Sequence, residues 1–441
     1  MRCVHRRPII DPRLGVGCAL LATLLIGARA ALAALPPVPV PAENPLTEGK
    51  RVLGKMLFWD EQLSSDGSIA CGTCHRPAQG GADPRAGRNP GVDKGTIDDV
   101  LGSPGIVSLD RDGHPQPHPQ FGNGPQVTPR AAPSNFGALW ANELFWDGRA
   151  GPRVIDPLTG ATAIAHGGAL ENQVLAAVVA PGEMAKLDRS WADVIETVER
   201  ARPLALASNL PKDVDAALAV HRTYPALFEA AFGDARITPI RIAFAIATYE
   251  RTLVSDRTPW DRYEAGDSSA VSGRALYGWR ALQAFHCTAC HTPPLFTNNR
   301  FFEIGVRRAA LDLGRELVTR DPSDAGDMKV PTLRNAALLP RFMHTGEIAN
   351  LGAAIAFYIN PPALPERDGI PGLGLYTFNM SQIDVADIRE FIERALVDPR
   401  VRDEAFPFDR PTLRSERMSM PAAGESSRGQ ANIAAKLPED R

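Results

Sequence analysis

The chain has few cysteines for its length, 6 in 441 residues, and Cys3 and Cys18 lie within the first 33. That excludes a disulfide-stapled scaffold, which packs many cysteines into a short secreted chain. Charge of one sign is lacking as well. Lys and Arg number 48 against 51 Asp and Glu, a formal net charge of −3. Without a basic face, no nucleic-acid partner is expected. Long apolar runs are missing: the run from Leu14 to Ala28 is short for a membrane span, which needs ~20 residues. Alternating strand patterns are scarce too. What remains is 44% apolar and 22% charged residues, with 39 Pro and 38 Gly, a globular composition with many loops. The length exceeds one ordinary domain of ~100–200 residues and fits two.

Residues 1–33 read as a secretory signal peptide. Arg2, Arg6, Arg7 and Arg13 lead into the apolar run, and Ala31-Leu32-Ala33 offers a small-x-small cleavage site. An exported, periplasmic protein follows. Removing this segment takes away five Arg and one Asp and leaves a chain near −7. Residues 34–45 are a Pro-rich leader. Helices are expected at 46–58, 190–202, 213–221, 238–253, 272–285, 350–359 and 381–396, from apolar periodicity and from caps such as Thr238-Pro239. Residues 76–135 form a long loop region. The fold expectation is mainly α, in two domains with long loops. The N-terminal domain is placed at 46–262 and the C-terminal one at 263–410, with the boundary near Asp261–Ser269. A disordered tail is expected over 411–441.

The chemistry rests on two pentads, Cys71-Gly72-Thr73-Cys74-His75 and Cys287-Thr288-Ala289-Cys290-His291. Two thiols three residues apart on a helical turn reach the two vinyl groups of one porphyrin, and the adjacent His offers a proximal nitrogen to the iron. They use every cysteine outside residues 1–33 and imply two covalently bound haem c groups, one in each half, so the expected fold is mainly α, two cytochrome c-like haem domains with long loops. A zinc site built from both Cys pairs would need Cys74 and Cys287 to meet across most of the chain. A thioredoxin-like dithiol would need a strand before it.

The stretch LGKMLFWDEQLSSDGSIACGTCH (53–75), then FWDGRA (145–150), PGEM (181–184), VPTLRN (330–335) and FMHTGE (342–347), resembles the bacterial dihaem cytochrome c peroxidase family, which includes the MauG-like oxidases. The resemblance spans about residues 45–400. It implies a peroxide-reactive N-terminal haem on His75 and an electron-receiving C-terminal haem on His291. Glu183 and Gln173 become distal catalytic residues, Trp146 an aromatic bridge between the haems, and Arg334 a propionate partner. An insertion is implied at about 151–167. The blander readings are a surface carboxylate for Glu183, core packing for Trp146 and a salt bridge for Arg334.

Two departures from the family pattern stand out. The position fourteen residues past His344, where family members place an axial Met, holds Tyr358, as in MauG-like oxidases. A phenolate stabilises oxidised iron, whereas a thioether favours the ferrous state. Met343, Met328 and Met380 are rival ligands, and a buried structural Tyr is the plain alternative. The loop His that closes the N-terminal iron in conventional members is replaced by Gly91, and no His occurs between His75 and His114. His114 and His118 sit in a loop where exposure is the usual fate. The interdomain calcium implied by the resemblance loses a side-chain oxygen, because Ala131 follows Arg130 where an Asn is usual. The expected partners are hydrogen peroxide and a small periplasmic cytochrome c or cupredoxin. A protein substrate, as for a MauG-like oxidase, and a homodimer stay open. So does a non-enzymatic electron carrier, which would leave Glu183 and Gln173 without a role.

Overall fold

The computed structural model describes residues 34–91, 95–359 and 378–419. The expected signal peptide and residues 420–441 of the expected tail lie outside the described residues. The fold is helical with little sheet. Its helices are α1 Glu48–Trp59, α2 Cys71–Cys74, α3 Ala169–Ala177, α4 Trp191–Arg200, α5 Lys212–Val220, α6 Tyr224–Phe232, α7 Pro239–Glu250, α8 Pro259–Glu264, α9 Gly273–Ala284, α10 Glu316–Thr319, α11 Leu351–Ala356, α12 Gln382–Ala395, α13 Pro399–Arg402 and α14 Arg414–Ser419. Among the described residues the sheet consists of four two-stranded pieces. One of them, Val154–Ile155 with Thr162–Ile164, is a hairpin inside the expected insertion. Among the described residues, no helix is long and apolar enough to cross a membrane.

The helices start where short polar side chains can take the free backbone N–H groups of the first turn. Thr47 accepts from Lys50 N, and Thr238 accepts from Arg241 N with Pro239 at the first helical position. Ser381 and Asp384 close a reciprocal capping box on α12.

Two main cores form, one around each pentad. Leu53, Met56, Leu57 and Trp59 of α1 pack with Ile242, Ile246 and Tyr249 of α7. The two helices touch closely because α1 carries Gly54, where a Cβ would lie 1.8 Å from the Ala245 carbonyl oxygen. In the second core, Ala275 and Leu282 of α9 meet Ile388, Phe391 and Ile392 of α12, with Trp260 and Phe296.

Two expectations about chain division are corrected. Trp260 belongs to the second core, so the junction lies ahead of α8 and not at 261–269. Its indole stacks at 5.4 Å on Tyr263 and edge-on at 5.2 Å to Phe391, which draws α8 across. The tail does not begin at Pro411. Val401, Phe408 and Leu413 return to the first core. Leu413 is fully buried, and Arg414 N donates to the Glu61 carboxylate at 2.8 Å. The return is tied by Lys55, a buried cation held between Asp213 at 3.1 Å and Asp409 at 2.8 Å. A buried ammonium must be paired, so the segment bearing Asp409 has to stay against α1.

Candidate functional site

The first pentad lies on α2, a single turn begun by a bond from Ala70 N to the Thr73 hydroxyl at 2.9 Å. Gly72 faces Trp59 of α1 so closely that a Cβ would lie 2.2 Å from the indole. Cys71, Cys74 and His75 face one cavity, whose walls also carry Trp146, Gln173, Glu183, Arg149, Arg130 and Glu250. His75 Nδ1 lies 3.0 Å from the Gly81 carbonyl, which leaves Nε2 as the free ring nitrogen. The Gln173 and Glu183 positions come from different elements. Gln173 projects from α3, while Glu183 sits in a turn after Gly182, at φ +84°. The turn is clamped to a strand: Ile106 N donates to the Glu183 carbonyl at 3.1 Å. Gly105 permits this, since a Cβ there would lie 2.0 Å from the Gly182 oxygen. Burial pushes the Glu183 carboxyl above the ordinary range, with Arg149 opposing. A carboxyl held up in this way keeps its proton more readily than a free one, which suits it to taking up and handing on a proton.

His75 is the only histidine among the described residues that line this cavity. Gly91 also lines it, at φ +59°. His114 and His118 are outside it, and His114 is 76% exposed beside Asp110.

A second cavity is bounded by Cys287, Cys290 and His291 together with Tyr358, Met328, Met343, Met380, His286 and His344. His291 Nδ1 lies 3.2 Å from the Phe296 carbonyl. Tyr358 and all three rival methionines therefore share one chamber. Burial raises the Tyr358 phenol well above its ordinary range, reinforced by the Cys287 and Cys290 thiols.

Trp146 lines both cavities. Its Nε1 donates to the Ala131 carbonyl at 2.8 Å, and its own carbonyl accepts from Lys329 N at 2.8 Å. The His344 ring stands edge-on at 6.2 Å. The indole is thus fixed from both halves of the chain.

The two Cys pairs lie in different cavities, so they cannot share a zinc ion. Burial pushes the Cys71 thiol up to about 12 and Cys287 to about 11, the opposite of the depressed value a thiolate centre needs. Neutral paired thiols and a ring nitrogen facing a common cavity fit covalent porphyrin attachment. Calcium fits less well. Ala131 has no side-chain oxygen and its carbonyl is taken by Trp146. The neighbouring carboxylates are bound by Arg130, to Asp147 at 2.7 Å and to Asp312 at 2.6 Å. A guanidinium occupies the charge a divalent ion would neutralise.

The resemblance of residues 48–269 to the family model described as di-haem cytochrome c peroxidase decides the relationship. The chain belongs to the di-haem cytochrome c peroxidase family. Among its relatives, the methylamine utilization protein MauG of Methylophilus methylotrophus is 27% identical over 386 residues, covering 85% of this chain and 93% of that protein. The cytochrome-c peroxidase IdrP1 of Denitromonas iodatirespirans is 29% identical over 409 residues, covering 85% and 88%. In fold, a MauG-like protein associated with microbial copper homeostasis matches with a TM-score of 0.57 and 24% identity, over 85% of this chain and 96% of that one. Haem c is the cofactor of this di-haem cytochrome c peroxidase family.

One assignment is corrected. Arg334 is not at either cavity. It is 4% exposed and its donors are spent on Asp261 at 2.6 and 3.0 Å, the Ser255 carbonyl at 3.1 Å and the Pro294 carbonyl at 2.8 Å. A buried guanidinium is held by the carboxylate that satisfies it, here on α8. Among the described residues, the arginine that lines both cavities is Arg307; its terminal nitrogens donate to the Ile97, Asp98 and Asp99 carbonyls at 3.1, 3.4 and 2.9 Å, and its Nε is buried without a partner. No spacing or period in its loop marks it out. Asp312 has no local signal for the same reason: its pairing with Arg130 joins distant segments.

Proposed function

We propose that the chain is an exported, periplasmic peroxidase. It carries covalent haem c on Cys71, Cys74 and His75 and on Cys287, Cys290 and His291, in two cytochrome c-like domains. It reduces hydrogen peroxide to two waters with two electrons and two protons. The donor class is a small periplasmic cytochrome c or cupredoxin. One observation carries this reading: Trp146 is a shared wall of two cavities, each bounded by one Cys-x-x-Cys-His pentad.

Bound haem supplies the iron site for peroxide and the one-electron steps, with His75 and His291 as proximal ligands. The remaining work falls to this chain. Glu183 takes the proton from the near peroxide oxygen and returns it to the far one, so that water leaves as the O–O bond breaks. Gln173 on the same wall orients the peroxide. Trp146 shortens the electron path between the two chambers. Arg307, facing both, has its Nε–H left over to pair a carboxylate of the porphyrins.

A second reading is a MauG-like oxidase acting on a side chain of a partner protein. Tyr358 in the second chamber supports it, because an oxygen ligand favours storage of oxidising equivalents. So does Gly91, which offers no imidazole to close the first chamber.

The test uses the purified holoprotein. Wild type should consume peroxide with reduced cytochrome c, and Glu183→Gln, with both haems retained by intact mass, should be slower by about 10²–10⁴-fold. Equal rates would overturn the role of Glu183. Negligible turnover by wild type, with oxidation of an added protein instead, would favour the second reading.

A further inference from the structure

The proposed chemistry leaves one buried acid unused. Glu250 is the last residue of α7 and lines the first cavity, 6% exposed. Its Oε2 has no hydrogen-bond partner. The Asn135 side chain lies beside the Glu250 carboxyl, a contact that by itself favours the ionised form, and the Asn135 Oδ1 is also buried without a partner. These neighbouring side chains each carry one orphaned acceptor, and one shared proton would satisfy both. A neutral carboxylic acid supplies it, because acid and amide can exchange two hydrogen bonds, N–H to the acid carbonyl and O–H to the amide oxygen. An ionised carboxylate would leave both orphans and a buried charge. Burial raises the Glu250 carboxyl to about 8, with Arg251 opposing and Glu171 reinforcing. Arg251 is itself committed to Glu171, at 2.6 Å.

Asn135 leads from this pair to the first haem ligand. Its backbone N donates to the Gly81 carbonyl at 3.3 Å, and the same carbonyl lies 3.0 Å from His75 Nδ1. Its side chain presses on Gly81, where a Cβ would lie 2.3 Å from Oδ1 at φ +77°. The neighbouring Ser134 hydroxyl donates to the Gly80 carbonyl at 2.6 Å. The 80–81 turn is therefore held from beneath by residues 134–135, and the Asn135 side chain is anchored by Glu250.

We infer that Glu250 is a positioning residue for the His75 imidazole, acting through Asn135 on the Gly81 carbonyl. The inference rests on the reading of His75 as a haem ligand. A hydrogen bond to the far nitrogen of a ligating imidazole fixes its tautomer and raises its basicity, which tunes the iron. Glu250 touches no substrate in this scheme.

The test compares wild type, Glu250→Gln and Glu250→Leu holoprotein. Gln retains a donor and an acceptor at the same length, whereas Leu removes both. The readouts are the iron–imidazole stretching band of the ferrous five-coordinate haem and the reduction potential of that haem. In Glu250→Leu the band should move to lower frequency and the potential should rise, with the second haem unchanged. Glu250→Gln should keep wild-type values. Asn135→Ala should repeat the Leu result, which covers the case in which Glu250→Leu fails to fold. Variants with two haems and an unshifted band overturn the inference alone, as does a Gln variant shifted as far as Leu. A wild type with no haem on Cys71 and Cys74 overturns the underlying reading and this inference with it.

Discussion

Replacing Gly72 by Ala tests whether the first pentad is held by packing against α1. The added Cβ would lie 2.2 Å from Cε3 and Cζ3 of Trp59 and 2.7 Å from Cδ2. Carbon atoms rest at ~3.5–4.0 Å, so α2 or the indole must move by roughly 1.5 Å. The indole has nowhere to go. Trp59 is 1% exposed, its Nε1 donates to the Tyr249 hydroxyl at 3.1 Å, and Phe58 meets it edge-on at 5.5 Å. Overpacking of this kind costs ~1–3 kcal/mol, against a gain of ~1 kcal/mol for Ala over Gly in a helix. The clash is deep and the ring is fixed on two sides, so the upper part of the range applies and a net loss of about 2 kcal/mol is expected. That lowers the thermal midpoint by about 4–8 °C for a unit of ~200 residues. Cys71, Cys74 and His75 are untouched, so intact mass should still count two haems. The second pentad provides the control. Thr288 fills the equivalent position with a half-buried side chain, and Thr288→Ala should stay within ~0.5 kcal/mol. A Gly72→Ala protein as stable as wild type would refute the packing argument.

Other outcomes follow from buried groups. Arg251→Met leaves Glu171, fully buried, without its cation and should cost ~3–5 kcal/mol, read as a drop in thermal midpoint. Burial lowers the His344 imidazole to about 4 from its ordinary 6.5. The folded protein then binds fewer protons than the unfolded chain, so this stability is present above pH ~6.5 and is lost as pH falls towards 4. The span is worth ~3 kcal/mol, and His344→Asn should flatten acid unfolding in that window. Tyr358→Phe should alter the ferric low-spin signal of the second haem and raise its potential. An unchanged signal would move the ligand to one of the methionines that share the chamber.

What the sequence by itself determined about this protein is what is local. A thiol pair with an adjacent imidazole is a covalent motif of five residues, and both motifs line cavities. Helices α1, α7, α9 and α12 appear where periodicity and capping residues put them, because a cap and an apolar face are complete within a few turns. Neither α3 nor α6 was foreseen: α3 starts at Gly168 with no side-chain cap, whereas α6 does carry a Thr223 cap and a closing Gly233. Tertiary structure decided the rest, where a group's partner lies far along the chain. Arg334 went to Asp261 and away from the cavities, because a buried cation is placed by its carboxylate and nothing local names that carboxylate. The residues past Pro411 looked polar enough to be free, yet a few apolar side chains and the Lys55–Asp409 pair fold their beginning back onto α1. Glu250 and Asn135 become a pair only when α7 meets the loop beneath His75. Covalent chemistry needs neighbours in sequence, whereas burial and charge pairing need neighbours in space.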